Sequence, residues 1–279
     1  MKRVFLTFGI AAAAVLAGRA AIADKYPELN DRHHFADKAH AARPGGGGAQ
    51  NLINHGGPVI VAPRVVAIFW GPSWSSGGAD GATAQHIRDF FGQFGSSGHL
   101  AMLPQYSNAA GQVASNMLAD WWNDTTTPPT NVTDALVQQE VLNYLSTNAF
   151  DSSVIYEVFL PPSSYSSDGT STSCGGPNLA YCAYHGHFSN GGRDIKYSSM
   201  PYPSCGGCIS NSGWSAGQNI DHFSCHETRE AITDEDLNAW YDRRGSEADD
   251  KCAWSPAPFL DGLFGYQYEW SNSAGGCVR

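Results

Sequence analysis

A histidine, the glutamate directly after it and a second glutamate one helical turn further on can together hold and use a metal ion. This chain carries that trio in HETREAITDED, residues 226–236. Residues four apart share a face of a helix, so His226 and Glu230 would present a nitrogen and an oxygen side by side. With Glu227 between them they read His-Glu-x-x-Glu, the His-Glu-x-x-His pattern of zinc metalloproteases with its second histidine replaced by a carboxylate. In that pattern the two flanking residues bind zinc, and the intervening glutamate takes a proton from the metal-bound water. Glu227 is therefore the candidate general base, and His226 and Glu230 are candidate ligands. His222 continues the stripe, but it stands two turns from Glu230, roughly 12 Å along the axis, whereas metal–ligand bonds measure about 2 Å. At most two adjacent members of the stripe can share one ion.

A third ligand must come from elsewhere. Glu247, closing the segment RGSE at 244–247, lies far enough downstream for the chain to turn back and present a carboxylate. We take it as the third ligand. Asp236 offers another choice at the spacing of the short-spaced zincins, although Thr233 stands where those enzymes have glycine. Methionine is absent after Met200, which excludes the methionine turn of the metzincins. His185 and His187 share a strand face at period two; they are either further nitrogen donors or a pair of hydrogen-bonded histidines. Asp234, Glu247, Asp249 and Asp250 could instead hold calcium through oxygen, as a structural ion. The plainest rival is that the motif is the solvated charged face of a surface helix. Other chemistries have less support: Gly-x-Ser-x-Gly is missing, no glycine-rich phosphate loop precedes a helix, and Cys225 points about 100° away from His226 on a helix.

The elements that must position this motif follow from hydrophobic patterning. Residues 59–70 (VIVAPRVVAIFW) read as a buried strand, and 85–94 as an amphipathic helix with Ile87, Phe90, Phe91 and Phe94 inward. Helices are expected at 111–122 and at 133–145, the latter with Thr133 as N-cap. Strands are expected at 154–160, 179–188 and 194–198, a loop at 163–176, and a late helix over about 218–237 that carries the motif. That order specifies an α/β or α+β domain with a mixed sheet and a late, zincin-like motif helix.

Residues 1–23 have the charged start, apolar run and small-residue end of a secretory signal peptide. Residues 24–50, with His33, His34, His40 and four glycines at 45–48, read as a flexible leader or propeptide. Residues 51–279 suit a single globular domain. Without Lys2, Arg3 and Arg19 the chain has 13 basic and 26 acidic residues, a formal charge of −13, which argues against nucleic acid and anionic membranes as partners. All seven cysteines lie in the second half, and export into an oxidising compartment, extracellular or periplasmic, would give up to three disulfides and one spare thiol. For the same reason Cys205-Gly-Gly-Cys208 reads as disulfide rather than half a zinc ribbon.

NHGGP at 54–58, IFWGP at 68–72, YCAYHG at 181–186, IKY at 195–197 and CGGC at 205–208 resemble the plant EXORDIUM or phosphate-induced protein family. That resemblance implies an extracellular protein linked to cell growth. The motif helix departs from it: the plant proteins have an asparagine- and alanine-rich helix where this chain has His226, Glu227 and Glu230. In this it looks more like exported bacterial proteins that combine His-Glu-x-x-Glu with Trp-Tyr-Asp and Glu-x-x-Asp-x-Cys, here Trp240-Tyr241-Asp242 and residues 247–252. Two functions are thus expected: a secreted zinc hydrolase, specifically a peptidase acting on extracellular peptide or protein, or a non-enzymatic EXORDIUM-like binding protein with a structural metal or none.

Overall fold

The computed structural model describes residues 32–41, 50–111 and 116–279; the signal peptide assigned to 1–23 lies outside them. Six strands form the main sheet: β1 Arg32–Ala36, β2 Arg64–Trp70, β3 Leu118–Asp124, β4 Val154–Phe159, β5 Tyr181–Asn190 and β6 Arg193–Met200. Their order across the sheet is β1-β5-β6-β4-β2-β3. The β3, β2, β4 and β6 strands run parallel, while β5 and then β1 are added antiparallel at one side. Three α-helices cover the sheet: α1 Gly81–Phe94, α2 Asp134–Leu145 and α3 Ala216–Thr233. The domain is α+β with a mixed sheet, as expected.

Side-chain alternation decides which helix covers which face. Val65, Ala67 and Phe69 of β2 pack with α1 and α3, while Val66 and Ile68 pack with Val137 and Val141 of α2. Such a strand, buried on both faces, reads as a continuous apolar run. It begins only at Arg64, because Pro63 has no amide hydrogen to give the ladder. The late helix starts at Ala216, with Ser215 and Gln218 forming a reciprocal capping box. Thr133 occupies the N-cap position of α2 without a side-chain cap bond.

Two expectations fail. Of the helix placed at 111–122, residues 118–122 belong instead to the edge strand β3, parallel to β2, and 112–115 lie outside the described residues. Trp121 and Trp122 favour a pleated, half-buried edge, and this outweighs the helical spacing of the apolar residues. The flexible leader placed at 24–50 does not hold for residues 32–41: β1 pairs with β5 and buries Phe35 completely. One aromatic anchor on an open sheet edge is enough to order a polar segment, and composition alone does not register it. The loop at 163–176 also contains a short strand, Tyr165–Ser167, paired with Asn131–Thr133.

The cysteines form three bridges, Cys174–Cys205, Cys182–Cys208 and Cys252–Cys277, leaving Cys225 as a buried thiol. Cys205 and Cys208 thus bond separate partners, which removes the zinc-ribbon reading. Among the described residues no helix is long and apolar enough to cross a membrane.

Candidate metal centre

The motif helix is not a surface helix. His222, His226, Glu227 and Glu230 of α3 are all 0 % exposed. That rules out the solvated charged face, because burying ionisable groups is costly unless they are paired or hold a cation. The helix lies against β5 and the Phe264–Tyr266 strand, and the segment 247–250 folds back onto it. Fully buried Arg229 ties that segment down: its guanidinium pairs with Asp249, Nε to Oδ1 at 3.0 Å, and with Glu269 at 3.4 Å. Cys252–Cys277 pins the same segment immediately downstream.

Gln267 sets the chemistry of His226. Its amide Nε2 donates to the Asp249 carbonyl at 2.9 Å, and a carbonyl can only accept. Oε1 of Gln267 therefore faces the two histidines and accepts from His222 Nε2 at 2.6 Å and His226 Nδ1 at 3.2 Å. With its proton on Nδ1, and burial holding its pKa below the usual value, His226 is neutral and turns a bare lone pair on Nε2 inward. His222 is satisfied at both ring nitrogens, by Gln267 and Ser210. It stays out of the cluster, as the axial spacing required.

Glu230 meets that lone pair. Its Oε1 accepts from the backbone amide of Asp250 at 3.0 Å, which leaves Oε2 free. Oε2 lies 3.1 Å from His226 Nε2 and 3.7 Å from His185 Nε2. His226 Nε2 and Glu230 Oε2 are buried, and neither has a hydrogen-bond partner among the described residues. A proton on Glu230 or a metal ion would satisfy both atoms at this distance. Around a tetrahedral zinc with bonds of about 2 Å, neighbouring ligand atoms stand about 3.3 Å apart, which is the scale of these separations.

Glu247, expected as the third ligand, comes beside Glu230 but shares no donor group with His226. Glu247 Oε2 lies 3.1 Å from His185 Nε2 and 3.1 Å from Nδ1 of His33. Donor atoms of Glu247, Glu230 and His33 fall within 4.8 Å of one another. The group that contains both helix donors takes Asp250 as its third member, with Oδ1 3.7 Å from His226 Nε2. Glu227 shares a further such group with His185 and Glu230, and both of its oxygens are buried without a partner. Burial first, and then the neighbouring Glu230 and Asp250, push the Glu227 carboxyl far above its ordinary pKa. Burial raises Glu230 and Glu247 as well. Glu230, Glu247 and Asp250 lie against His33, His185 and His226. Burial alone would lower His33, but Asp250 and Glu247 hold its imidazole well above the usual pKa, so in the absence of a metal His33 supplies positive charge at the mouth of the pocket.

Other candidates fall elsewhere. Asp236 pairs with Lys196 and lies 3.9 Å from His187, which bonds Asp194 at 2.9 Å; the lysine already supplies the cation there. His185 joins the centre while His187 does not, although the two share a strand face. Asp249 is taken up by Arg229 and Asp234 by the backbone amide of Ala239, so the four acidic residues considered for calcium do not converge. Sequence reasoning missed His33 and Gln267. His33 lay within a stretch that composition assigned to a leader, and Gln267 stands in a region with no metal-ligand spacing. No protein-family model, no curated protein and no solved structure matches this chain.

Proposed function

We propose that this is a secreted zinc-dependent peptidase whose ion is held by His226 and Glu230 of α3 and a carboxylate of the 247–250 segment. Both Glu247 and Asp250 face Glu230 from that segment. The supporting observation is the buried pair His226 Nε2 and Glu230 Oε2 at 3.1 Å, neither with a hydrogen-bond partner among the described residues: one metal ion would satisfy both lone pairs. Zinc suits a mixed nitrogen and oxygen donor set and, when bound, would polarise a substrate carbonyl and make water more acidic. The three disulfides fit an exported protein.

Glu227 is placed to move protons. A dication beside it would return its carboxyl to the ionised form that burial and neighbouring carboxylates otherwise disfavour. It then takes a proton from water as the water oxygen bonds to the peptide carbonyl carbon. Glu227 passes that proton to the amide nitrogen as the carbon–nitrogen bond breaks, giving a carboxylic acid and an amine. His185, buried beside Glu230 and held neutral by burial, lines the same space.

The test is turnover of a broad set of fluorogenic peptides by wild type and Glu227→Gln at equal zinc content. Loss of a general base typically costs 10²- to 10⁴-fold. The proposal expects that loss with zinc retained. Full zinc occupancy without turnover in wild type, both with residues 32–41 in place and with that segment released, would instead favour the EXORDIUM-like binding protein with a structural metal.

A further inference from the structure

Strand β1 lies at the open edge of the sheet, beside the centre. It is the outermost strand beside β5, antiparallel to it, with His33 directly opposite His185. Addition of a strand to an open sheet edge is a common way of binding an extended peptide. His33 reaches into the centre with both ring nitrogens, Nε2 at 2.6 Å from Asp250 and Nδ1 at 3.1 Å from Glu247. The donors His185, His226, Glu230 and Glu247 have side chains at most 1 % exposed, whereas those of His33 and Asp250 are 24 % and 15 % exposed. Solvent therefore reaches the cluster past His33. Two residues on, Phe35 fills a pocket walled by His222, Phe223, His226 and Trp254, stacked on His226 with ring centres 4.1 Å apart. A cleft of about 250 Å³ runs beside the strand, lined by His34, Ala36, His40, Ser246, Asp250 and others. After Ala41 the chain continues through ARPGGGGA, residues 42–49.

We propose that β1 is a self-peptide held in the substrate groove. Its His33 caps the centre, and the substrates that replace it are extended peptides that pair with β5 and place an aromatic side chain in the Phe35 pocket. The proposal rests on the peptidase reading for its chemistry, but the groove is testable without turnover.

The experiment replaces residues 45–48 in the full chain with the recognition sequence of a specific endoprotease, cuts the zinc-loaded protein and separates the released segment. Binding of a fluorescent peptide, RHHFADKAHA (residues 32–41), is then read by polarisation. The cut protein should bind it at least tenfold more tightly than the intact chain does. Phe35→Ala in the peptide should weaken binding at least tenfold, and unrelated extended peptides with one Phe or Tyr should compete while their Ala versions do not. Failure of unrelated aromatic peptides to compete, or unfolding of the protein once the segment is gone, would overturn the proposal and make β1 an integral strand. In the uncut chain, His33→Ala should speed zinc removal by a chelator at least tenfold; an unchanged rate would overturn the capping role. Competition without hydrolysis would refute the peptidase reading and leave the groove, and hydrolysis without competition would do the reverse.

Discussion

Gln267 is placed to bind no metal, yet its hydrogen bonds set the tautomer on which zinc binding at His226 depends. Gln267→Leu keeps nearly the same volume and removes the whole amide. His226 Nδ1 and His222 Nε2 then lose the oxygen that accepts from them at 3.2 and 2.6 Å, and the Asp249 carbonyl loses a donor at 2.9 Å. A buried polar group left unpaired costs about 1–3 kcal/mol; because these bonds share one side chain and do not add fully, about 2–4 kcal/mol of stability should go. The specific consequence concerns the tautomer. Without an acceptor at Nδ1, His226 can carry its proton on Nε2, where it donates to Glu230 Oε2 and blocks the lone pair that binds the ion. Removing an outer partner of this kind usually lowers metal affinity 10- to 100-fold, about 1.4–2.7 kcal/mol. Competition against a chromophoric chelator reads the affinity, and a thermal melt at fixed free zinc reads the stability. A melt that shifts downward while zinc affinity stays within twofold would refute the tautomer argument and reduce Gln267 to a packing residue.

Glu247→Gln and Asp250→Asn should each weaken zinc binding at least tenfold, about 1.4 kcal/mol, whereas Asp236→Asn, at the Lys196 cluster, should leave it unchanged in the same chelator competition. Replacing both Cys252 and Cys277 with serine opens a loop of 25 residues and should cost about 3.5 kcal/mol in chemical denaturation; zinc affinity should fall with it, since the bridge pins the segment that carries Asp250. Away from the centre, burial lifts the Glu140 carboxyl of α2 from 4.5 to about 7. Between those values the folded protein keeps a proton that the unfolded chain has released, so this contribution is full below pH 4.5 and lost as pH rises through 7, by up to about 3 kcal/mol. Glu140→Gln should flatten the pH dependence of urea stability across that window, and an unaltered slope would show that the carboxyl is not desolvated.

The pairing of His226 with Glu230 was legible because helical periodicity alone dictates it, and α3 is as regular as its sequence suggests. The axial distance to Glu230 likewise predicted that His222 would stand apart. The return of Glu247 was legible only as a possibility of chain length; what fixes it, Arg229 against Asp249 and the Cys252–Cys277 bridge, is tertiary. Exposure was the information most lacking. The acidic residues of HETREAITDED look like one solvated face, yet Glu227 and Glu230 are fully buried while Glu235 and Asp236 stay part-exposed beside Lys196. β1 itself escaped because a five-residue strand with two histidines and an arginine has little apolar weight, and Phe35 acts through a pocket assembled from α3 and Trp254. Residues 118–122 misled in the opposite direction, since their apolar side chains can equally line an edge strand when paired aromatics favour the pleat.

Anomalous diffraction at the zinc edge, on crystals of protein purified without chelator, bears most directly on the central claim. A zinc centre here gives a single strong peak about 2 Å from both His226 Nε2 and Glu230 Oε2, absent in Glu230→Ala. A peak at His187, Asp194 and Asp236, or none in protein that remains folded, would contradict it.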